Sequence, residues 1–292
     1  MDARAVLILG ADGYIGSALA PFLRERGLSV TGIDNGFRSS PTSSVGPRRN
    51  FRDLTEDEFA PFGNIILLAG HPSVSACDRQ PRDAFNNNVD SFVGLVHKLR
   101  GQKLLFASSI SLYVRTPGVP AIECQPMPAP VSFYDMHKQM IEQYARIAYP
   151  NHFALRFGTL CGPSPNIRLD LMLNSMVWSA LSRKKIEVAN RDVHRPLLGI
   201  TDLCRAIATI LTSSIEPGPY NLASVNTAIG QIADYVAGRF GVPCIEVERP
   251  TAYDIAVSTE KFTRAANFAF ADTIPTLVDS LDSYFARCPS PR

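Results

Sequence analysis

Tyr134-Asp-Met-His-Lys138 is the segment of this 292-residue chain whose spacing bears most directly on chemistry. On a helix, a spacing of four puts the phenol and the ammonium on one face, about one turn apart. A free phenol titrates at about 10 and is a poor base at neutral pH. A neighbouring ammonium, or any other cation held beside the ring, would favour the phenolate. The same spacing is also common on ordinary helices, where it does no chemistry. The run Lys103-Leu-Leu-Phe-Ala107 leads into Ser108-Ser109. A hydroxyl at the C-terminal end of a strand points into the cleft of an open parallel sheet. Ser109 there either bonds a substrate hydroxyl or carbonyl beside Tyr134, or merely caps a turn.

These groups need a scaffold, and the N-terminus supplies its opening. The apolar run Ala5-Val6-Leu7-Ile8-Leu9 is followed by Gly10-Ala-Asp-Gly13-Tyr-Ile-Gly16 and a helical pattern. Glycines let backbone approach a pyrophosphate, which rests on the unpaired amides of a helix N-terminus. A second apolar run, Leu28 to Ile33, ends in Asp34. An acid about twenty residues past the glycines is placed to accept hydrogen bonds from an adenosine ribose. The competing reading is a tight strand–helix turn with no ligand. An Asp34 carboxylate repels a 2′-phosphate and favours NAD over NADP, and Arg38 close by would soften that preference.

Strand patterns fall at 4–10, 28–34, 64–69, 103–108 and 152–157, with helix patterns at 14–26, 81–100 and 134–148. This alternation predicts an α/β fold: a Rossmann-like doubly wound parallel sheet with a smaller C-terminal α+β substrate region. Residues 1–160 are expected to form the NAD-binding domain, with returning segments near 194–225 and 253–262. Residues 161–292 are expected to bind mainly substrate. Helices are expected there near 168–182, 201–213, 227–240 and 275–286, and short strands near 185–190, 219–223, 244–248 and 254–258.

The net charge of +2 implies no polyanionic partner, so nucleic acid is not expected. No apolar stretch approaches the about eighteen residues of a membrane helix. Asp2, Asp12 and the lack of a basic leader argue against a signal peptide. The six cysteines form no CxxC pair, so no metal site is expected and a reducing cytoplasm is the simplest setting. Ser39-Ser-Pro-Thr-Ser-Ser44 reads as a surface loop.

Across nearly its whole length the chain resembles the extended short-chain dehydrogenases/reductases, in particular the NAD-dependent sugar-nucleotide epimerase/dehydratase family. The resemblance rests on the glycine motif, Asp34-Asn35, Asp53-Leu54, Leu68-Ala69-Gly70 and Asn87-Asn88-Val89. It continues through Ser108-Ser109 with Tyr113, Tyr134-x-x-x-Lys138, Leu155-Arg156-Phe157 with Gly162-Pro163, and Arg195-Pro196. It implies that Ser109, Tyr134 and Lys138 are catalytic. It implies that NAD lies against Gly10, Gly13, Tyr14, Ile15 and Gly16, with Asp34 and Asn35 at the ribose. Asp53 would lie beside the adenine and Ala69 on the nicotinamide side, with Leu54, Leu68, Gly70, Asn88 and Lys138 also among the cofactor contacts. Substrate would meet Ser109, Thr159, Asn174 and Arg195, with Arg195 at the nucleotide phosphates. Relatives often pair through helices matching 81–100 and 134–148, which implies a homodimer.

The family's 4,6-dehydratases typically carry Asp-Glu after the catalytic hydroxyl residue. Ile110-Ser111 stands there and supplies no acid or base at neutral pH. The expected reaction is therefore epimerisation of a nucleotide sugar through a transient keto intermediate. Departures remain: Thr159 replaces a frequent Asn, Ser91 a frequent Gly, and His137 reads as a helix-surface histidine. The substrate region is also short, which would suit an oxidoreductase or dehydratase/lyase acting on a small non-nucleotide metabolite. A non-catalytic NAD-binding protein is the remaining alternative.

Overall fold

The computed structural model describes residues 2–36, 46–116, 118–250 and 253–288; Arg38 and the Ser39-to-Ser44 stretch lie outside them. The chain begins with β1 (Asp2–Leu9), α1 (Tyr14–Arg24), β2 (Ser29–Ile33), α2 (Glu56–Phe59) and β3 (Phe62–Leu67). Next come α3 (Val74–Arg79), α4 (Pro81–Phe85), α5 (Ser91–Lys98), β4 (Lys103–Ser109), α6 (Phe133–Ala148) and β5 (His152–Phe157). The later part contains β6 (Thr159–Cys161), α7 (Met172–Arg183), β7 (Ile186–Val188), β8 (Leu197–Gly199), α8 (Ile200–Thr212) and β9 (Gly218–Leu222). It closes with α9 (Ile229–Phe240), β10 (Cys244–Glu246), α10 (Glu260–Ala265) and α11 (Ile274–Arg287).

Six strands make one parallel sheet in the order β2-β1-β3-β4-β5-β9. Successive strand residues face opposite sides. Val6 and Ile8 therefore join a core with α1, α7, α8 and α11, while Leu7 and Leu9 join another with α5 and α6. Where a sheet is covered on both faces its strands must be apolar on both sides, which is why the buried part of β1, Ala5 to Leu9, is an apolar run while Asp2 and Arg4 at its start are exposed. The doubly wound α/β reading therefore holds. From β1 the chain passes to β2 on one side and then to β3 on the other. Ligands of doubly wound sheets bind where the order reverses, outside the carboxyl ends of the strands. Here that crevice lies beyond Leu9 and Leu67.

Several elements depart from the sequence reading. The expected helix 81–100 is broken by a π-helical turn, Asn86–Asp90, between α4 and α5. Ser91, standing where relatives often have Gly, braces it: the Ser91 amide and hydroxyl (2.8 Å) both donate to the Asn86 carbonyl. The expected strand at 254–258 makes only one bridge, Ala121 to Val257, because its other backbone groups bond loop residues. The ribbon of β6 and β8 pairs three residues with three, too short to show a period.

Candidate active site

The glycine loop turns directly out of β1. Gly10 has φ +92°, and a Cβ there would fall 2.6 Å from the Ala69 amide nitrogen. A Cβ on Gly16 would overlap the Gly10 carbonyl oxygen. Backbone thus occupies the space any side chain would need. Gly13 caps α1 without a side-chain hydrogen bond, leaving first-turn amides available to an anion. Asp34, one residue past β2, is half-buried and accepts from the Asp12 amide (3.1 Å) and the Gly36 amide (2.8 Å). It therefore ties the glycine loop to the end of β2. Ala69 and Gly70 leave β3, and the Leu68 and Ala69 amides both donate to the Leu9 carbonyl.

Asn88 clamps the next residue. Its Oδ1 accepts from the His71 amide (2.7 Å) and its Nδ2 donates to the His71 carbonyl (3.2 Å). A Cβ on Gly70 would lie 2.6 Å from that Oδ1. The π turn is what carries Asn88 into place, a use to which such turns are often put.

The cradle fits a dinucleotide, but not every expected contact is a side-chain contact. The Tyr14 hydroxyl is buried, donates to the Gly162 carbonyl (2.8 Å) and accepts from Asn174 (3.3 Å). Burial pushes its pKa far up. Only the Tyr14 backbone remains for a cofactor. Leu54 packs in the core with Leu9 and Ile33, and Ile15 packs half-buried against the other core. Asn35 and Asp53 are exposed.

Ser109 ends β4, and its register partner on β5 is Phe157. Its hydroxyl accepts from the Ser111 amide (3.1 Å) and donates to the Ser111 hydroxyl (2.9 Å). Tyr134 and Lys138 lie in the first turns of α6, which Ser132 caps by accepting from the Asp135 amide. Lys138 Nζ donates to the Ala107 carbonyl (2.6 Å) and stands 5.5 Å from the Tyr134 ring centre. Burial pulls Lys138 down to about 8, with Cys77 and Glu142 opposing. Burial pushes Tyr134 up to about 12, while the Ser109 hydroxyl and, more weakly, Arg168 act the other way. Ser109, Tyr134 and Lys138 are therefore gathered at one point on the sheet's C-terminal edge.

A buried polar network stands behind them, and its carboxylates went unnoticed in the sequence. Arg156 and Glu142 pair at 2.6 Å with side chains 1% and 5% exposed. Ser108 donates to Glu142, and Arg156 also donates to the Tyr113 hydroxyl (2.7 Å). Tyr113 donates in turn to Asn221 Oδ1 (2.8 Å), and the Asn221 amide donates to Glu123 (2.8 Å). In-register pairing of Ser108 with Arg156 and of Arg156 with Asn221 sets this row across β4, β5 and β9. Glu142 follows Lys138 by four residues, so its helix face was legible. Past Tyr113 the chain makes a γ-turn: Val114 has φ +57° and ψ −56°, and the Arg115 amide donates to the Tyr113 carbonyl (2.5 Å).

On the far side, the Thr159 amide donates to the Pro196 carbonyl (2.7 Å), which brings Thr159 beside Arg195. Arg195 is half-buried, its guanidinium makes no hydrogen bond or ion pair among the described residues, and burial lowers its pKa. Asn174 departs from expectation. It is fully buried, and its amide serves Gly162, Tyr14 and Arg168, so it fixes the turn after β6 rather than facing substrate. His137 is likewise no surface histidine. It is completely buried against Phe85, Phe133 and Asn88, and burial lowers its pKa.

A doubly wound sheet with a serine ending its fourth strand and Tyr-x-x-x-Lys on the following long helix defines an extended short-chain dehydrogenase/reductase. The chain belongs to the NAD dependent epimerase/dehydratase family, whose model matches residues 6–223. It is 30% identical over 185 residues to a UDP-glucose 4-epimerase of Yersinia pestis, covering 55% of this chain and 54% of that enzyme. It is 27% identical over 241 residues to UDP-glucuronate 4-epimerase 1 of Arabidopsis thaliana, covering 72% of this chain and 55% of that one. The chain thus spans about half the length of these curated relatives. Among solved structures, MoeE5 in complex with UDP-glucose and NAD superposes with a TM-score of 0.85 at 21% identity, covering 98% of this chain and 100% of that one. The NAD-dependent NDP-hexosamine 5,6-dehydratase TunA superposes with a TM-score of 0.86 at 21% identity, covering 97% and 98%. Among the described residues no helix is long and apolar enough to cross a membrane, and no cluster of His, Cys, Asp or Glu is placed to hold a metal.

Proposed function

We propose that the chain is an NAD-dependent epimerase of a nucleotide sugar, with Tyr134 as the base. The observation that carries this reading is the convergence of Tyr134, Lys138 and Ser109 where the family's dehydration acids are replaced by Ile110 and Ser111. The glycine cradle, the open N-terminus of α1 and Asp34 would hold NAD. Bound NAD supplies a hydride acceptor, a hydride donor and a positive charge. Tyr134 takes the proton of a sugar hydroxyl as the carbon beneath becomes a ketone. Ser109 bonds the same oxygen and holds it against the phenol. Lys138 keeps a positive charge near the phenolate while Ala107 fixes its ammonium. After the keto sugar turns, Tyr134 returns the proton and the opposite configuration results. Arg195, whose guanidinium has no hydrogen-bond or ion-pair partner among the described residues, would engage the diphosphate. UDP-sugar relatives support this choice of substrate.

The test is incubation of the pure protein with NAD and a panel of UDP-, dTDP- and GDP-sugars, followed by chromatography. Interconversion of a C-epimer pair with no net NADH is expected, and Tyr134→Phe abolishes it while NAD still binds. Failure on the whole panel overturns the reading.

The protein would act as a homodimer through α4, α5 and α6. Phe133, Met140 and Ile147 lie on one face of α6 and are 46%, 39% and 77% exposed, beside an exposed Phe85. Six free cysteines suit a reducing cytoplasm.

A further inference from the structure

Asp135 follows the catalytic tyrosine directly, and its carboxylate is completely buried. An acid in the first turn of a helix is favoured by the helix dipole, but such groups ordinarily face water. Here Oδ2 accepts from the Ser132 hydroxyl (2.6 Å) and the Tyr253 hydroxyl (2.7 Å). Oδ1 is buried with no hydrogen-bond partner among the described residues. A half-satisfied buried carboxylate is costly, and such a group in a native site calls for a role.

The route through Tyr253 supplies one. Tyr253 belongs to a segment stapled to the substrate side. The Ile255 amide donates to the His194 carbonyl (3.1 Å), and Asp254 accepts from the His194 amide (2.9 Å). His194 precedes Arg195, and the Arg195 charge in turn bears on the Tyr253 phenol. Asn226 and Thr116 hold the same segment through Val257 and Ala256. An unbroken series of contacts thus runs from Arg195 through His194, Asp254, Tyr253 and Asp135 to Tyr134.

We propose that Asp135 is a positioning residue for Tyr134, its buried carboxylate gripped by Tyr253 so that the substrate-side segment and the first turn of the catalytic helix are held as one unit. The proposal rests on Tyr134 being the base. Asp135 also places a negative charge beside the phenol, opposing its ionisation. The other groups bearing on Tyr134 are Ser109 from β4, Cys77 from α3, Arg168 ahead of α7 and Lys138 on α6 itself.

The test is an ultraviolet titration of the Tyr134 phenol in NAD-loaded protein, taken as the difference from Tyr134→Phe. In Asp135→Asn the midpoint moves down by about one unit, because a repelling charge is gone. In Tyr253→Phe it moves up, because the Asp135 carboxylate loses a hydrogen bond that damped its charge. With a turned-over sugar nucleotide, Tyr253→Phe lowers kcat and leaves KM nearly unchanged. Unmoved midpoints in both variants, or shifts in the same direction, overturn the proposal. Lack of turnover on every sugar nucleotide overturns the substrate reading instead and leaves the midpoints readable.

Discussion

Arg156 and Glu142 face each other inside the protein at 2.6 Å, and nearly every polar atom of the pair has a partner. Such a pair contributes little net stability, but losing one member leaves an uncompensated buried charge. Glu142→Ala should therefore cost about 3–5 kcal/mol. The double variant Glu142→Leu with Arg156→Met should recover most of it. Urea unfolding of the single and double variants measures both.

Lys138 carries the clearest pH signature. Burial brings its ammonium down to about 8, so the charge beside Tyr134 is present below that pH and lost as pH rises through it. kcat/KM should fall above about pH 8. A guanidinium stays charged throughout, so Lys138→Arg should flatten that alkaline limb even at a lower absolute rate. Steady-state pH profiles of the two proteins make the comparison.

Arg195 separates the two substrate classes. If it meets a diphosphate, Arg195→Ala should lose about ten- to a hundredfold in affinity for UDP, since a charge-assisted hydrogen bond contributes about 1.5–3 kcal/mol. Calorimetry with UDP reads this directly. An unchanged affinity would favour a small non-nucleotide substrate.

Val114 holds a β-branched side chain at φ +57°, where the left-handed region strains any residue with a Cβ. Val114→Gly should raise the melting temperature, with a gain of about 1 kcal/mol once the looser unfolded chain is allowed for. Calorimetric melting checks it.

The apolar face of α6 gives the last expectation. Placing a charge on it, as in Ile147→Asp together with Met140→Lys, should convert a dimer to a monomer. Light scattering of the variant and the parent at equal concentration decides. A parent already monomeric removes the homodimer.

The sheet was legible because its central strands carry short apolar runs such as Ala5 to Leu9 and Ile65 to Leu67, and the glycine turn because Gly10, Asp34 and Ala69 come together where the strand order reverses. The placing of Ser109 at a strand end, and of Tyr134 and Lys138 on one helix face, was legible because spacing and strand ends encode direction. Long-range partners were not found: nothing local in the sequence says that Glu142 meets Arg156 or that Asp135 meets Tyr253. Asn174 and His137 were misplaced for the same reason, since a polar residue on a helix does not declare whether water or protein will satisfy it. The bracing role of Ser91 was not legible because a π turn has no period of its own.

The edge of the sheet has a consequence for how this protein can be divided. β9 is drawn from residues 218–222, yet it completes β5, and Asn221 closes the row begun by Ser108. The segment between β5 and β9 is thus bounded at both ends by paired strands of the sheet, and its α8 packs with α1 in the sheet's own core. A chain cut after β5 would bare Arg156 and the apolar edge of its strand. A change of length between β5 and β9 is therefore an insertion with both ends fixed. The sheet is not a detachable module, and recombination that exchanges this segment must carry both crossing points, at β5 and β9, together with β10, which pairs with β7, and α9, which packs on α7.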